Sequence, residues 1–334
     1  MRAFSLSLVG AALLGVALAS PARAETIKIG VLKVSACGPV FLAQEKGYFA
    51  KEGLTAELVP SDAPILVTQG TMSGDFDFGM SAMSAGFFNS AGQGIMRIIA
   101  ADGDESPGFR GLVVVASNQA YDNGLKSLKD LAGHSFAITA AGSLQQYDLS
   151  IIADKYHFAY SSMKMLPVGN FANMISAVVG GSAESAIPAV SVSRQALAGN
   201  KLHNLAWVSD ELRMQIAIVM TSAKHADQDP DLVRRFLRVY RMGLKDYHDA
   251  FIGADDRPHD GPTAPATYQL LAKYTDVPVE TMKIGLVHLD LEGRLNVADV
   301  MHQIEWYKSQ GMVKPDVDGS KIIDKRYVVA LPGT

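Results

Sequence analysis

Two glycine-marked helix starts, about a hundred residues apart, constrain this chain more than any other feature. The first is Ser35-Ala36-Cys37-Gly38-Pro39, after the strand-like run 26–34. The second is Ala141-Gly142-Ser143, after the strand-like run 134–139. Each reads as a strand, a tight turn of small residues, then an amphipathic helix. Such a turn aims free backbone N–H groups and a partial positive charge at whatever sits above the strand end. Two of them in separate α/β units predict a small ligand held between two lobes. No catalytic constellation accompanies them, so binding outranks chemistry.

Strand-like runs alternate with helical patterns from residue 26 to about 220. The runs are 26–34, 54–60, 75–80, 95–101 and 111–117, then 134–140, 163–168, 183–187, 203–209 and 214–221. Between them lie amphipathic segments such as Pro39 to Ala50 and Ser143 to His157. The alternation predicts βαβ units on largely parallel sheets. After Ala223 the pattern turns helical. Asp229 is placed to cap a long helix with Pro230 at its first position. Further helices are expected at roughly 263–274, 278–285 and 296–310, and an extended tail at 322–331. No Gly/Ser-rich linker separates the lobes. They are expected to be joined by ordered strands, with the chain crossing between them more than once.

The first 24 residues read as a secretory signal. Arg2 supplies the charge, Phe4 to Leu18 is apolar, and Ala22-Arg23-Ala24 is a small-x-small cleavage site. Cleavage after Ala24 leaves Glu25 as the first mature residue, and no cysteine at the exit invites a lipid. The apolar run is short for a membrane span, and no other stretch approaches the ~20 residues needed. Of 30 Lys+Arg, Arg2 and Arg23 leave with the signal, so 28 face 34 acids, a formal −6. That balance offers no footprint for nucleic acid or an anionic membrane. Cys37 is the only cysteine, so no internal disulfide forms, and the core must stabilise an exported chain. The bland reading of Cys37, a small buried residue in a tight turn, is preferred to a reactive thiol.

One stretch is more specific than the rest. Ile27-Lys28-Ile29-Gly30, then Gly38-Pro39-Val40-Phe41-Leu42-Ala43-Gln44, then Glu45-Lys46-Gly47-Tyr48-Phe49-Ala50-Lys51-Glu52-Gly53-Leu54 follow one another closely. This opening resembles periplasmic binding proteins of ABC importers, in the nitrate/sulfonate/taurine and thiamine-precursor group (the SsuA/THI5/NMT1-like family). Ser73-Gly74-Asp75-Phe76-Asp77-Phe78-Gly79 resembles a later strand of that family. Leu125-Lys126-Ser127-Leu128-Lys129-Asp130-Leu131-Ala132-Gly133 resembles its approach to the second lobe, and Gly142-Ser143 with Tyr147 its second helix start. The resemblance covers residues 26 to about 200 well and the C-terminal helices loosely.

The resemblance implies an α/β type II periplasmic binding fold closing on a ligand. Residues 25–112 plus 215–334 form the first lobe and 113–214 the second. The pocket is expected to draw on Ser35, Ala36, Cys37 and Gly38, and on Ser81, Ala82 and Met83. From the other lobe it should draw on Gly142, Ser143, Pro188 and Ala189. Each group follows a strand end, where open α/β sheets place ligands. Phe109 and Arg213 are further candidates. Each has a plainer role open to it: Ser143 as an N-cap, Arg213 in an ion pair with a neighbouring acid.

The expected function is capture of a small organic solute and its delivery to an ABC permease and its ATPase, in the periplasm, by a monomer without cofactor or metal. Helix starts favour an anion, such as a sulfonate or aromatic carboxylate. An exported enzyme on the same fold, of the thiamine-pyrimidine-precursor kind, and a sensory module are the alternatives. Enzyme signatures are missing: there is no Walker loop and no GxGxxG, and Gly79-Met80-Ser81-Ala82-Met83 lacks the closing glycine of GxSxG. The loop of Asp255, Asp256, His259 and Asp260 reads as solvated rather than cation-binding.

Overall fold

The computed structural model describes residues 24–334, so the expected leader lies outside the described residues except for Ala24. Twelve strands are described. In chain order they are β1 Glu25–Leu32, β2 Leu54–Ser61, β3 Phe78–Ala82, β4 Met96–Ala101, β5 Asp104–Glu105 and β6 Val113–Ser117, then β7 Ser135–Ile138, β8 Lys164–Pro167, β9 Ser185–Ala186, β10 Leu202–Trp207, β11 Met214–Gln215 and β12 Ala217–Ser222. They build two five-stranded sheets and one short ladder. The first sheet runs β2-β1-β3-β12-β4 and the second β10-β6-β9-β7-β8. The ladder pairs β5 with β11, Glu105 opposite Met214.

Both sheets are mixed, not largely parallel. β1 lies parallel to β2 and β3, whereas β12 runs antiparallel to β3 and β4. In the second sheet β7 is parallel to β8 and β9, and β6 is antiparallel to β9 and β10. The odd strands are those on which the chain changes sheets. β6 is the first strand entered after the crossing from β4, and β12 the first after the return. A crossing strand comes from the other sheet rather than through a βαβ helix, so the rule that makes βαβ neighbours parallel does not bind it. The run expected at 214–221 is accordingly two strands, β11 in the ladder and β12 in the sheet.

The helices depart from expectation in three places. The segment from Pro39 to Ala50 is two helices, Gly38–Glu45 and Tyr48–Lys51, broken at Gly47. The helix expected at 278–285 is only Val279–Met282. The tail is not extended. It holds a short helix, Gly319–Ile322, and touches strand-like partners singly, at Ile98–Ile323 and Leu295–Ala330.

The long helix Pro230–Phe251 organises the first half of the core. Asp229 caps it, its carboxylate accepting from the Leu232 N–H at 3.1 Å. Phe236 stacks on Phe78 of β3 with ring centroids 3.9 Å apart. Its other buried face meets the Gly38–Glu45 helix, where a Cβ on Gly243 would lie 2.0 Å from the Pro39 carbonyl oxygen. Two helix backbones touch there, so the first helix start is held from behind.

His288 ties the loop Asp255–Asp260 to β5. Its Nδ1 pairs with Asp104 at 2.8 Å and its Nε2 with Asp256 at 2.9 Å. Burial opposes its charge, but the hydrogen bonds to these carboxylates and their charges outweigh burial and push His288 up to about 9. Burial meanwhile raises the Asp104 carboxyl, an effect the His288 contact opposes.

Two outcomes follow. Gly243→Ala should destabilise the chain by about 2–3 kcal/mol by forcing two helices apart, read from denaturant unfolding; an unchanged midpoint contradicts this packing. A histidine raised on folding stabilises fully below its unfolded pKa and loses that contribution as pH rises through the folded value. Melting temperature should therefore fall between pH ~6.5 and ~9, and His288→Gln should flatten that part of the profile.

Candidate functional site

The C-terminal ends of β1, β3 and β4 converge on one cleft with the helix starts of the second sheet. A narrow neck of about 70 Å³ is lined by residues from both sides. From the first sheet come Ser35, Ala36, Cys37, Ser81, Ala82 and Asp102; facing them are Leu112, Gln145, Ala189 and Ser191. The neck opens at Leu32, Val34, Phe171 and Ser191 into a wide mouth of about 810 Å³. Lys33 and Arg194 stand at the mouth with Asp62, Asp276 and Glu280. Lys33 is already paired with Asp276.

The neck is narrow because the two halves are clasped. Ser84 and Ser143 form a single antiparallel bridge, and the Ala85 N–H donates to the Gly142 carbonyl at 2.9 Å. Gly142 is needed for this approach. Its φ is +76°, and a Cβ there would lie 2.7 Å from that of Ala85. Behind the clasp, Tyr307 donates to the Ser143 carbonyl at 3.0 Å. A second void of about 60 Å³ lies beside the clasp, lined by Met83, Ser84, Thr139 and Ser143 among others.

The polar groups of the neck are partly spent. The Ser35 hydroxyl donates to the Gly285 carbonyl at 2.6 Å, and the Ser81 hydroxyl to the Pro64 carbonyl at 3.1 Å. Both therefore face a solute as acceptors. Gln145 accepts from the Thr139 hydroxyl through its Oε1, which leaves its amide NH₂ as a donor. Asp102, at the end of β4, is 3% exposed and accepts from the Tyr240 hydroxyl at 3.1 Å. Burial pushes its carboxyl well above the usual range, and the Tyr240 hydrogen bond only partly offsets this. Burial, and then the charge of Asp102, push the Cys37 thiol up as well, so it stays protonated near neutrality.

The expected site residues divide. Ser35, Ala36, Cys37, Ser81, Ala82 and Ala189 line the neck together. Met83 and Ser143 line the adjoining void, and Gly142 forms the clasp rather than a wall. Gly38 lies off the cleft, under Tyr247 and Leu271. Pro188 is spent on the second sheet, its carbonyl accepting from the Val113 N–H at 3.2 Å. Phe109 packs edge-on against His288 and lines a separate surface hollow. Arg213 is exposed and, among the described residues, reaches only the Ser106 hydroxyl, at 3.4 Å. Arg110 is held by Asp210 and lies over Trp207.

The plainer role open to Ser143 is not the one it plays. It stands at the N-cap of helix Leu144–Tyr156, yet its side chain makes no cap hydrogen bond, and its hydroxyl is buried without a partner. Asp102, Gln145 and Ser191 were not anticipated. Asp102 was legible by the same rule that found Ser35 and Ser81, because it directly follows a strand of the first sheet. Gly285 and Val287 come from the C-terminal helical region, where no motif pointed to the cleft.

Ser143→Ala should leave stability within about 0.5 kcal/mol of the parent, or raise it, since it removes an unsatisfied buried hydroxyl. A loss near 1 kcal/mol in denaturant unfolding would restore the capping role.

The family model described as NMT1/THI5 like matches residues 35–250. No curated protein matches the sequence. Among solved structures, the chain is similar to the alkanesulfonate-binding protein SsuA from Xanthomonas axonopodis pv. citri, bound to MOPS. The TM-score is 0.70 at 14% identity, covering 90% of this chain and 98% of that one. The periplasmic aliphatic sulphonate binding protein SsuA from Escherichia coli gives 0.69 at 15%, covering 91% and 98%. The periplasmic nitrate-binding protein NrtA from Synechocystis PCC 6803 gives 0.69 at 14%, covering 91% and 87%. At these identities the likeness is one of fold, the periplasmic binding protein fold of two α/β lobes.

Proposed function

Because this chain belongs to the NMT1/THI5-like family, we propose that it is the solute-binding protein of an ABC importer. It captures a small organic solute between its lobes and delivers it to a permease and its ATPase. The observation that carries this reading is the neck itself. Strand ends of one sheet and helix starts of the other supply polar groups to one narrow space, so a solute is fully held only when the halves meet. The lobes would divide at 112/113 and 214/215 and hinge near 110–116 and 206–216, beside the β5–β11 ladder. The leader over 1–24 supports secretion to the periplasm, and no described helix is long and apolar enough to cross a membrane. The closed molecule would act as a monomer.

Binding without chemistry is supported by how the hydroxyls are used. Ser35 and Ser81 donate to backbone carbonyls, and no histidine lines the neck to act as their base. An anion such as a sulfonate or aromatic carboxylate would find its cation at the mouth, where Arg194 stands. Ser143 and Gln145, at the second helix start, would supply second-lobe contacts.

Expressed with its leader, the chain should be recovered from the periplasm with an intact mass that starts at Glu25. A solute found by thermal-shift screening of sulfonates, aromatic carboxylates, nitrate and nitrogen bases should raise the melting temperature by mass action. The same solute should shrink the radius of gyration in small-angle scattering. Scattering unchanged at saturation contradicts closure, and recovery of residues 1–24 in the cytoplasm contradicts export.

A further inference from the structure

The first-lobe wall of the neck carries an unusual imbalance. Its three oxygen-bearing side chains are Ser35, Ser81 and Asp102. Both hydroxyl protons are committed to backbone carbonyls, so the serines offer lone pairs. Asp102 receives one hydrogen bond, from Tyr240 to Oδ1. Among the described residues no other group donates to this carboxyl. Its Oδ2 is not among the side-chain atoms sealed from solvent without a partner, as both oxygens of Asp148 are. Among the described residues no Lys, Arg or His lines the neck. A carboxyl so enclosed with no cation beside it is unfavourable to ionise unless something enters to complete it. An anion entering the same space would meet no cation and two serines that already donate elsewhere, and any charge on Asp102 would repel it.

We propose that Asp102 selects the solute: the floor of the neck takes a group bearing N–H donors, an amidine, amine or similar nitrogen base, and turns carboxylates and sulfonates away from that position. The amidine edge suits the wall best. It delivers two parallel N–H donors, and a carboxyl accepts such a pair as it does a guanidinium. Ser35 and Ser81 accept any further N–H. The donor on the opposite wall, the Gln145 amide, is left for an acceptor elsewhere on the solute. This assignment rests on the cleft being the solute site. It leaves the mouth, with Arg194, free to hold an anionic group on the same molecule.

The test uses two isosteric series, acetamidine, acetamide and acetate, and benzamidine, benzamide and benzoate, titrated calorimetrically into the exported chain near pH 7.5. Within a series that binds, the amidine should bind at least tenfold tighter than the amide, and the carboxylate should not bind. Asp102→Asn keeps the acceptor for Tyr240 and the side-chain volume; it should melt within a few degrees of the parent and bring amidine and amide within threefold. A carboxylate that outcompetes its amidine, or an amidine indifferent to Asp102→Asn, overturns the assignment and leaves the solute-binding reading standing. If neither series binds, the broader screen supplies the solute. Loss of at least tenfold in its affinity on Asp102→Asn, for a solute with N–H donors, supports the assignment, and unchanged affinity overturns it. A chain that binds no solute in any screen overturns both readings.

Discussion

The clasp between Ser84–Ala85 and Gly142–Ser143 is the contact on which the site depends. It joins the turn after β3 to the turn after β7 through a backbone bridge, and so brings two separate sheets to one neck. A glycine is required at position 142 because the positive φ and the Ala85 methyl leave no room for a side chain. Tyr307 steadies the second of these turns from behind, and the Pro230–Phe251 helix holds the helix start after β1, at Pro39, through its contact at Gly243. The neck is therefore a product of long-range packing, assembled from turns that are far apart in the chain.

The clasp also explains the cost of the site. Beside the clasp the molecule holds a polar group without satisfaction: the Ser143 hydroxyl has no partner among the described residues. An unsatisfied buried hydroxyl costs about 1–3 kcal/mol, a penalty that a solute reaching this void would remove. Such a balance lets solute binding shift the population of closed molecules, because differential affinity for the two states is what moves the equilibrium.

Much of this was legible in the chain. The two helix starts and the succession of strands followed from periodicity and turn chemistry, and the resemblance to the family pointed to Ser35, Ala36, Cys37, Ser81 and Ala82, which line the neck. What escaped has physical reasons. Strand direction in β6 and β12 depends on where the chain changes sheets, which local pattern does not encode. Gly38 and Pro188 adjoin cleft residues in sequence but are turned into packing by the Tyr247 ring and by the Val113 N–H. Arg213 reaches Ser106 instead of the cleft. Asp102 carries no local mark: a lone acid after a strand has the pattern of a surface residue, and its cover, Tyr240, lies far along the chain.

Solute should enter and leave only when the clasp opens. A Ser84→Cys and Ser143→Cys pair tests it directly, because residues opposite each other in an antiparallel bridge lie at a separation a disulfide can span. Cys37 is buried and leaves the new pair undisturbed. Solute exchange would be timed by stopped-flow fluorescence in the oxidised and reduced protein. The oxidised chain should neither take up nor release solute, and reduction should restore both. Equal exchange rates in the two forms would contradict it.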